Sequence, residues 1–338
     1  MDSEKIKKIF RRRNPFTRLR DKIKKIKYIK KGIKSIIPKL NKINSYFSFE
    51  EYCSRLWCKN MKRKITIIFC IYLLLLFVGC EANEEDRTME NTTEYMVLLG
   101  EDSSIVEKVS DVDVLVIDAA YFCKEEIESL KDKNIGKVYT YLNIGSIENF
   151  RSFYEDYENY ILGDYENWPE EKWIDVSQPE WQEFIINESK ELAQKGIDGF
   201  FIDNVDVFYL YPNDEIYNGL VDILSGIKGM NKPVYLNGGD CFVRKYIESG
   251  DKRVIFDGVN QECVYTTYDF TNDRFLKNSE ENMYYLTEYL DMLVENGYVV
   301  YVLEYATDSK IRSKSYFYSM EHNYICYVSD NIELLMNN

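Results

Sequence analysis

From Glu94 onward, short apolar runs rich in Val, Ile and Tyr alternate with amphipathic or capped stretches. The runs predict strands over 95–99, 112–118, 137–142, 172–175, 199–203, 233–237, 255–261 and 298–304. Between them the pattern predicts helices over 125–133, 150–160, 180–195, 213–228 and 279–296. The clearest is 180–195, with Trp181, Phe184, Ile185 and Leu192 on one face. Ser177 and Glu180 before it have the spacing of a capping box, in which the hydroxyl accepts an early N–H and the Glu reaches back. Gly196 and Gly297 stand where a left-handed residue ends a helix.

Strands alternating with helices imply an α/β fold: a parallel sheet with right-handed crossovers. Eight units between Glu94 and Asn338 suit a (β/α)8 TIM barrel, which takes about 250 residues. An open doubly wound sheet is the competing architecture. However, no GxGxxG follows the first strand and no GxxxxGK[ST] occurs. A ninth run over 324–329 would close the barrel if 172–175 is not a barrel strand.

Charge divides the chain. Its 43 Lys and Arg against 57 Asp and Glu give a net −14, yet residues 1–64 carry +17 and residues 65–338 carry −31. Residues 1–60 form a basic extension read as lying outside the mature protein, rather than as a nucleic-acid or anionic-membrane arm. Residues 61–80 have the build of a signal peptide: Met61, the cations Lys62, Arg63 and Lys64, then an apolar run from Ile65 to Gly79. That run is shorter than the roughly 20 residues of a spanning helix. It ends in Phe77-Val78-Gly79-Cys80, which resembles a bacterial lipobox with Cys80 as the lipidated residue. An uncleaved anchor helix is the alternative, and both readings export the remainder of the chain. Residues 81–93 are an acidic linker to a single domain over 94–338.

One histidine leaves no parts for a His-paired Ser or Cys triad or a His-rich zinc site. Cys123, Cys241, Cys263 and Cys326 lie in the exported part and are read as structural, with three disulfide pairings open. The chemistry of such a barrel gathers at the C-terminal ends of its strands. Those ends carry Asp118, Asn143, Asp175, Asp203, Asn237, Glu262, and Glu304 with Tyr305. Carboxylates and amides with Tyr and Trp nearby suit glycoside hydrolysis. There, one acid protonates the leaving oxygen and another attacks the sugar or activates water.

Trp173-Ile-Asp-Val-Ser-Gln-Pro-Glu-Trp181 and Ala193-Gln-Lys-Gly-Ile-Asp-Gly-Phe-Phe-Ile-Asp-Asn-Val-Asp206 resemble glycoside hydrolase family 114. The stretches Tyr141–Arg151 and Asn260–Cys263 continue the likeness. The resemblance implies a TIM-barrel endo-α-1,4-polygalactosaminidase without metal or organic cofactor. Its two acids follow the fifth and seventh strands and correspond here to Asp203 and Glu262, with Asp203 the nucleophile if configuration is retained and Glu262 the acid/base.

The remaining strand-end residues are substrate-binding candidates, each with a structural alternative. Asp118 and Asp175 would orient hydroxyl or amino groups. Asn143 and Asn237 would read hydroxyls or tie down loops. Asn204 and Asp206 flank Asp203, and Glu304, beside Tyr305, rivals Glu262 as the acid. Asp198 is a turn residue before its strand, and Trp168 and Trp173 are core or stacking platform. The expected partner is a cationic amino-sugar polysaccharide, drawn in by the acidic domain. A carbohydrate-binding lipoprotein that no longer cleaves is the alternative function, and no nucleic-acid partner is expected.

Overall fold

The structure, a computed structural model, describes residues 93–336. The basic extension over 1–60, the signal segment with Cys80 and residues 81–92 of the linker lie outside the described residues. Among the described residues no helix is long and apolar enough to cross a membrane.

In chain order the strands are β1 (Tyr95–Leu98), β2 (Val114–Ile117), β3 (Lys137–Asn143), β4 (Ser146–Glu148), β5 (Ile161–Asp164), β6 (Glu171–Ile174) and β7 (Gly199–Asp203). They continue with β8 (Val234–Asn237), β9 (Gly258–Glu262), β10 (Thr266–Asp269), β11 (Arg274–Lys277), β12 (Val299–Tyr305) and β13 (Ile325–Ser329). Eight of these pair in parallel in the order β1-β2-β3-β7-β8-β9-β12-β13. The end strands lie beside each other, with the Tyr95 and Tyr327 rings 6.4 Å apart. This is a (β/α)8 TIM barrel.

The fourth predicted strand belongs elsewhere. Residues of β6 pair antiparallel with β4 and β5 in a three-stranded side sheet inserted between β3 and β7. The run over 324–329 supplies the eighth barrel strand instead. Asp203 and Glu262 therefore end the fourth and sixth barrel strands, not the fifth and seventh.

Strand alternation sorts the core. Tyr95, Val97, Val116, Tyr139, Phe201, Tyr235, Tyr301, Leu303 and Tyr305 pack together inside the barrel. Their neighbours Leu98, Leu115, Phe200, Ile202, Leu236 and Val302 join the larger cluster beneath the helices. Helix Asp214–Lys228 shows how local chemistry builds the outer layer. Asn213 caps it by accepting from Ile216 N at 2.8 Å, Asp214 and Glu215 suit the positive N-terminus, and Ile216, Leu220, Ile223, Leu224 and Ile227 are buried. Gly219 lets this helix meet the chain before helix Pro179–Gln194, since a Cβ there would lie 2.3 Å from the Val176 oxygen.

Two local expectations change. The Ser177 hydroxyl donates to Asp175 at 2.6 Å, so it does not cap helix Pro179–Gln194, which starts at Gln178 without a side-chain cap. The predicted helix over 150–160 is reduced to Tyr154–Tyr157 and a short 3-10 turn, because the chain must turn there into β5. Helices Asp240–Ser249 and Ser309–Glu321 were not expected. Gly196 and Gly297 do follow their helices in left-handed conformation, at φ 94° and 83°. All four described cysteines are unpaired, with Cys123 exposed.

The N-terminal ends of three strands share one device. Asp113, Asp198 and Asp257 each precede a strand, and each carboxylate accepts a backbone N–H next door: Glu94 at 2.8 Å, Val138 at 2.9 Å and Val234 at 2.7 Å. Asp198 also holds Lys131 at 2.9 Å and Asp257 holds Lys228 at 2.6 Å. Charge-assisted bonds of this kind contribute about 1.5–3 kcal/mol when partly buried. Asp198→Ala is expected to lower unfolding free energy by about that amount in urea melts. It should leave turnover unchanged, because the staple sits at the end of the barrel opposite the mouth.

Candidate active site

Inward-facing positions at the C-terminal ends of the strands form the mouth. On β7, Phe201 faces the barrel interior, and Asp203 lies on the same face two residues on. The same alternation aims Asn237 on β8, Glu262 on β9 and Tyr305 on β12. Each of the first three is followed by a left-handed residue: Asn204 at φ 65°, Gly238 at 70° and Cys263 at 57°. The turn takes the chain off the sheet immediately, so the last side chain of each strand stands at the open rim. For Cys263, with its Cβ, that conformation is a local strain of the kind found at functional sites.

These side chains meet. Asn237 Nδ2 donates to Asp203 Oδ1 at 3.0 Å and to Glu262 Oε1 at 2.8 Å. Two such contacts at one nitrogen keep the facing oxygens no more than about 6 Å apart. Tyr305 Oη donates to the other Glu262 oxygen at 2.7 Å. Burial, then the charges of Glu171 and Glu262, push the Asp203 carboxyl up to about 8.

The pair lines a cleft of about 600 Å³, within the range of ligand sites. Nine carboxylates line it, against one cation among the described residues, Arg151. That cation is already engaged by Asp118 at 2.9 Å and Glu148 at 3.3 Å. Tyr121, Phe150 and Trp168 add exposed aromatic surface, and Trp168 meets Phe270 edge-on at 6.4 Å. Trp173 is buried, stacked on Tyr165 at 4.3 Å. Trp168 is thus the ring open to the cleft and Trp173 the core residue.

The other candidates separate clearly. Asp118, Asn204, Asp206 and Tyr305 line the cleft. Asp206 accepts from Gly239 N at 3.0 Å, and burial pushes it up to about 6. Asn143 is buried below the rim, donating to Ser146 Oγ at 2.7 Å and Glu171 Oε1 at 3.0 Å. Asn204 joins that network through Asn143 at 3.1 Å and Glu171 at 2.8 Å.

Like Asn143, two further candidates stand outside the cleft lining. Asp175 follows the side sheet, and its carboxylate accepts from Ser177 N at 3.0 Å and Gln178 Nε2 at 2.6 Å, tying the turn before helix Pro179–Gln194. Glu304 points away from the barrel axis because its neighbours Leu303 and Tyr305 point in. Fully buried, it accepts from Tyr265 N at 2.6 Å, Thr266 N at 2.8 Å and the Thr266 hydroxyl. It anchors the loop after Glu262, and burial pushes it up to about 7.

Glu171 is an acid that the sequence pattern did not single out. It lines the cleft with one oxygen held by Asn143, Asn204 and the Ser146 hydroxyl. Burial raises its pKa, and the Glu148 charge adds to that. In the sequence it closes the acidic stretch Glu166-Asn-Trp-Pro-Glu-Glu171, which reads as a solvated loop.

The model of glycoside-hydrolase family GH114 matches residues 80–230. Over this span the sequence is similar to that family. The matched span includes Asp203, Asn204 and Asp206 and ends before Asn237 and Glu262. The fold is similar to the glycoside hydrolase domain of PelA from Pseudomonas aeruginosa. The TM-score is 0.62 at 16% identity, over 72% of this chain and 96% of that one. It is also similar to Ega3 from Aspergillus fumigatus, solved in complex with galactosamine. That comparison has a TM-score of 0.56 at 18% identity, over 75% of this chain and 98% of that one. At these identities the likeness is one of fold. No curated protein sequence matches the chain.

A raised Asp203 pKa has a consequence for stability. The folded protein holds a proton on this group from its ordinary value of 3.8 up to about 8, where the unfolded chain has lost it. Stability contributed by the neutral form is present below about 4 and falls as pH rises to about 8, by at most about 1.4 kcal/mol per pH unit. Asp203→Asn removes this dependence. In denaturant melts the variant is expected to gain on the parent protein as pH rises across that window.

Proposed function

We propose that the protein is an exported glycosidase that cleaves an amino-sugar polysaccharide of the α-1,4-polygalactosamine type. The observation that carries the reading is one amide nitrogen shared by Asp203 and Glu262 on the floor of an acidic cleft. We take the pair to act with retention, the mechanism of closely spaced carboxyl groups, because one nitrogen holds both acids. Asp203 then attacks the anomeric carbon as the C–O bond breaks, while Glu262 protonates the leaving oxygen. In the second half Glu262 takes a proton from water, which displaces Asp203.

A pair in this role needs one proton between its members at working pH. Near neutrality Asp203 carries it in the free protein. An ammonium group arriving in the cleft favours ionised Asp203, the form that the attack requires. Nine carboxylates with their one cation already paired also favour a polycation over a neutral chain. Glu171, half-buried and without a cation partner among the described residues, would receive a sugar ammonium. The Ega3 structure, of the same fold, holds galactosamine.

The decisive experiment incubates the protein with α-1,4-galactosamine polymer, its N-acetylated form and neutral galactans, and sizes the products. Oligosaccharides are expected from the free-amine polymer. Asp203→Asn and Glu262→Gln should each lower kcat by at least about a hundredfold, the scale of a lost acid, base or nucleophile. Glu171→Gln should narrow the preference for free amine over N-acetyl by about tenfold or more, one charge contact's worth. No cleavage of any amino-sugar polymer would sink the reading.

Export rests on the segment over 61–80, and lipid attachment on Cys80. Cys80→Ala is expected to abolish incorporation of labelled fatty acid and to move the protein out of the membrane fraction. Retention in that fraction without label would identify an uncleaved anchor.

A further inference from the structure

An asparagine side chain turned over about its last bond has nearly the same outline with oxygen and nitrogen exchanged. For Asn237 the two states are chemically opposite: one presents a donor to Asp203 and Glu262, the other a carbonyl oxygen facing two carboxylates. What selects the donor state lies one layer deeper in the barrel. Asn260 is paired in register with Asn237 on the neighbouring strand. Its Nδ2 donates to Asn237 Oδ1 at 2.7 Å. The Asn260 oxygen is in turn occupied by the Tyr95 hydroxyl of β1, at 3.1 Å.

We infer that Asn260 and Tyr95 are positioning residues for the carboxylate pair, holding Asn237 with its nitrogen toward Asp203 and Glu262. The inference rests on the proposed function for its catalytic meaning, though the hydrogen-bond polarity stands by itself. That polarity runs one way: phenol O–H to Asn260 oxygen, Asn260 nitrogen to Asn237 oxygen, Asn237 nitrogen to both acids. Asn260 is fully buried and Tyr95 is 5% exposed, inside a barrel otherwise lined by Val, Leu and aromatic rings. Apolar residues would fill this layer without the desolvation cost of two amides and a phenol. Burial keeps the Tyr95 phenol protonated far above its ordinary range, so the donor at the end of the line persists across working pH.

The groups facing Asp203 are Glu171 from the side sheet, Glu262 from β9, Tyr141 from β3 and Tyr165 from the loop before Glu171. None of them belongs to the line, and the substitutions that test it add no charge near Asp203. Tyr95→Phe removes one hydroxyl. Asn260→Leu removes the donor while keeping the branched outline of the side chain. Asn260→Ser keeps a hydroxyl able to donate to Asn237.

The readouts are the Asp203 titration midpoint by carboxyl-carbon NMR on the free protein, kcat and KM on the amine polymer, and the melting temperature. Releasing Asn237 weakens its bond to the ionised Asp203. The midpoint is therefore expected to rise by half a pH unit or more in Asn260→Leu and by less in Tyr95→Phe. In parallel, kcat should fall about tenfold or more in Asn260→Leu with KM little changed, and Asn260→Ser should restore most of both. Folded Asn260→Leu and Tyr95→Phe with the parent midpoint and kcat would overturn the inference, even if both melt earlier. If Asn260→Leu does not fold, Tyr95→Phe decides alone. A protein that cleaves no polymer but shows the midpoint shift would lose the proposed function and keep the line. Cleavage with unmoved midpoints would do the reverse.

Discussion

Two carboxylates on nearby strand ends repel each other, and burying them raises the cost of charging both. The mouth of this barrel is organised around that repulsion. One Asn237 nitrogen stands between Asp203 and Glu262, and Tyr305 takes the far side of Glu262. β7, β8 and β9 are consecutive neighbours in the sheet, so the acid, the amide and the second acid arrive side by side without any long loop. The left-handed residue after each of them stops the strand before another side chain can cover the site. The protein keeps enough donors to hold the acids in place but too few to satisfy them, which leaves Asp203 protonated near neutrality.

Acidic residues serve opposite purposes at the two ends of these strands. Asp113, Asp198 and Asp257 lie five positions before Asp118, Asp203 and Glu262. At the N-terminal ends the carboxylates meet backbone N–H groups of the next strand, and two of them meet lysines. There the charge contributes stability. At the C-terminal ends Arg151 takes Asp118, whereas Asp203 and Glu262 have no cation partner among the described residues. Binding a cationic chain would supply the missing charge.

The side sheet between β3 and β7 gives the barrel its particular character. Through β6 it brings Glu171 to the rim beside Asp203, anchored by Asn143, Asn204 and Ser146. Ser146 belongs to the side sheet itself, but Asn143 ends barrel strand β3 and Asn204 follows β7, so insertion and barrel are held as one surface. The insertion also carries Trp168, whose ring reaches Phe270 on the turn between β10 and β11. Charge and aromatic surface therefore enter the cleft from the side sheet and loops, while Asp203 and Glu262 stand on the barrel sheet.

Period-2 alternation and flanking Gly-Asp punctuation are properties of a few consecutive residues, and they determined β7 to the residue, with Asp203 at its end. The same alternation carries the distinction between Tyr305 and Glu304, since only one of two adjacent strand residues can face the axis. Local pattern has no power over pairing. The run at β6 has the look of a barrel strand, and only its antiparallel partners put it in the side sheet, moving Asp175 away from the mouth and leaving β13 to complete the barrel. Glu171 sits in an acidic stretch with no mark of function, and its role depends on three donors from distant positions. That one nitrogen reaches two carboxylates was decided by the register of three strands, a relation between segments that no single segment contains.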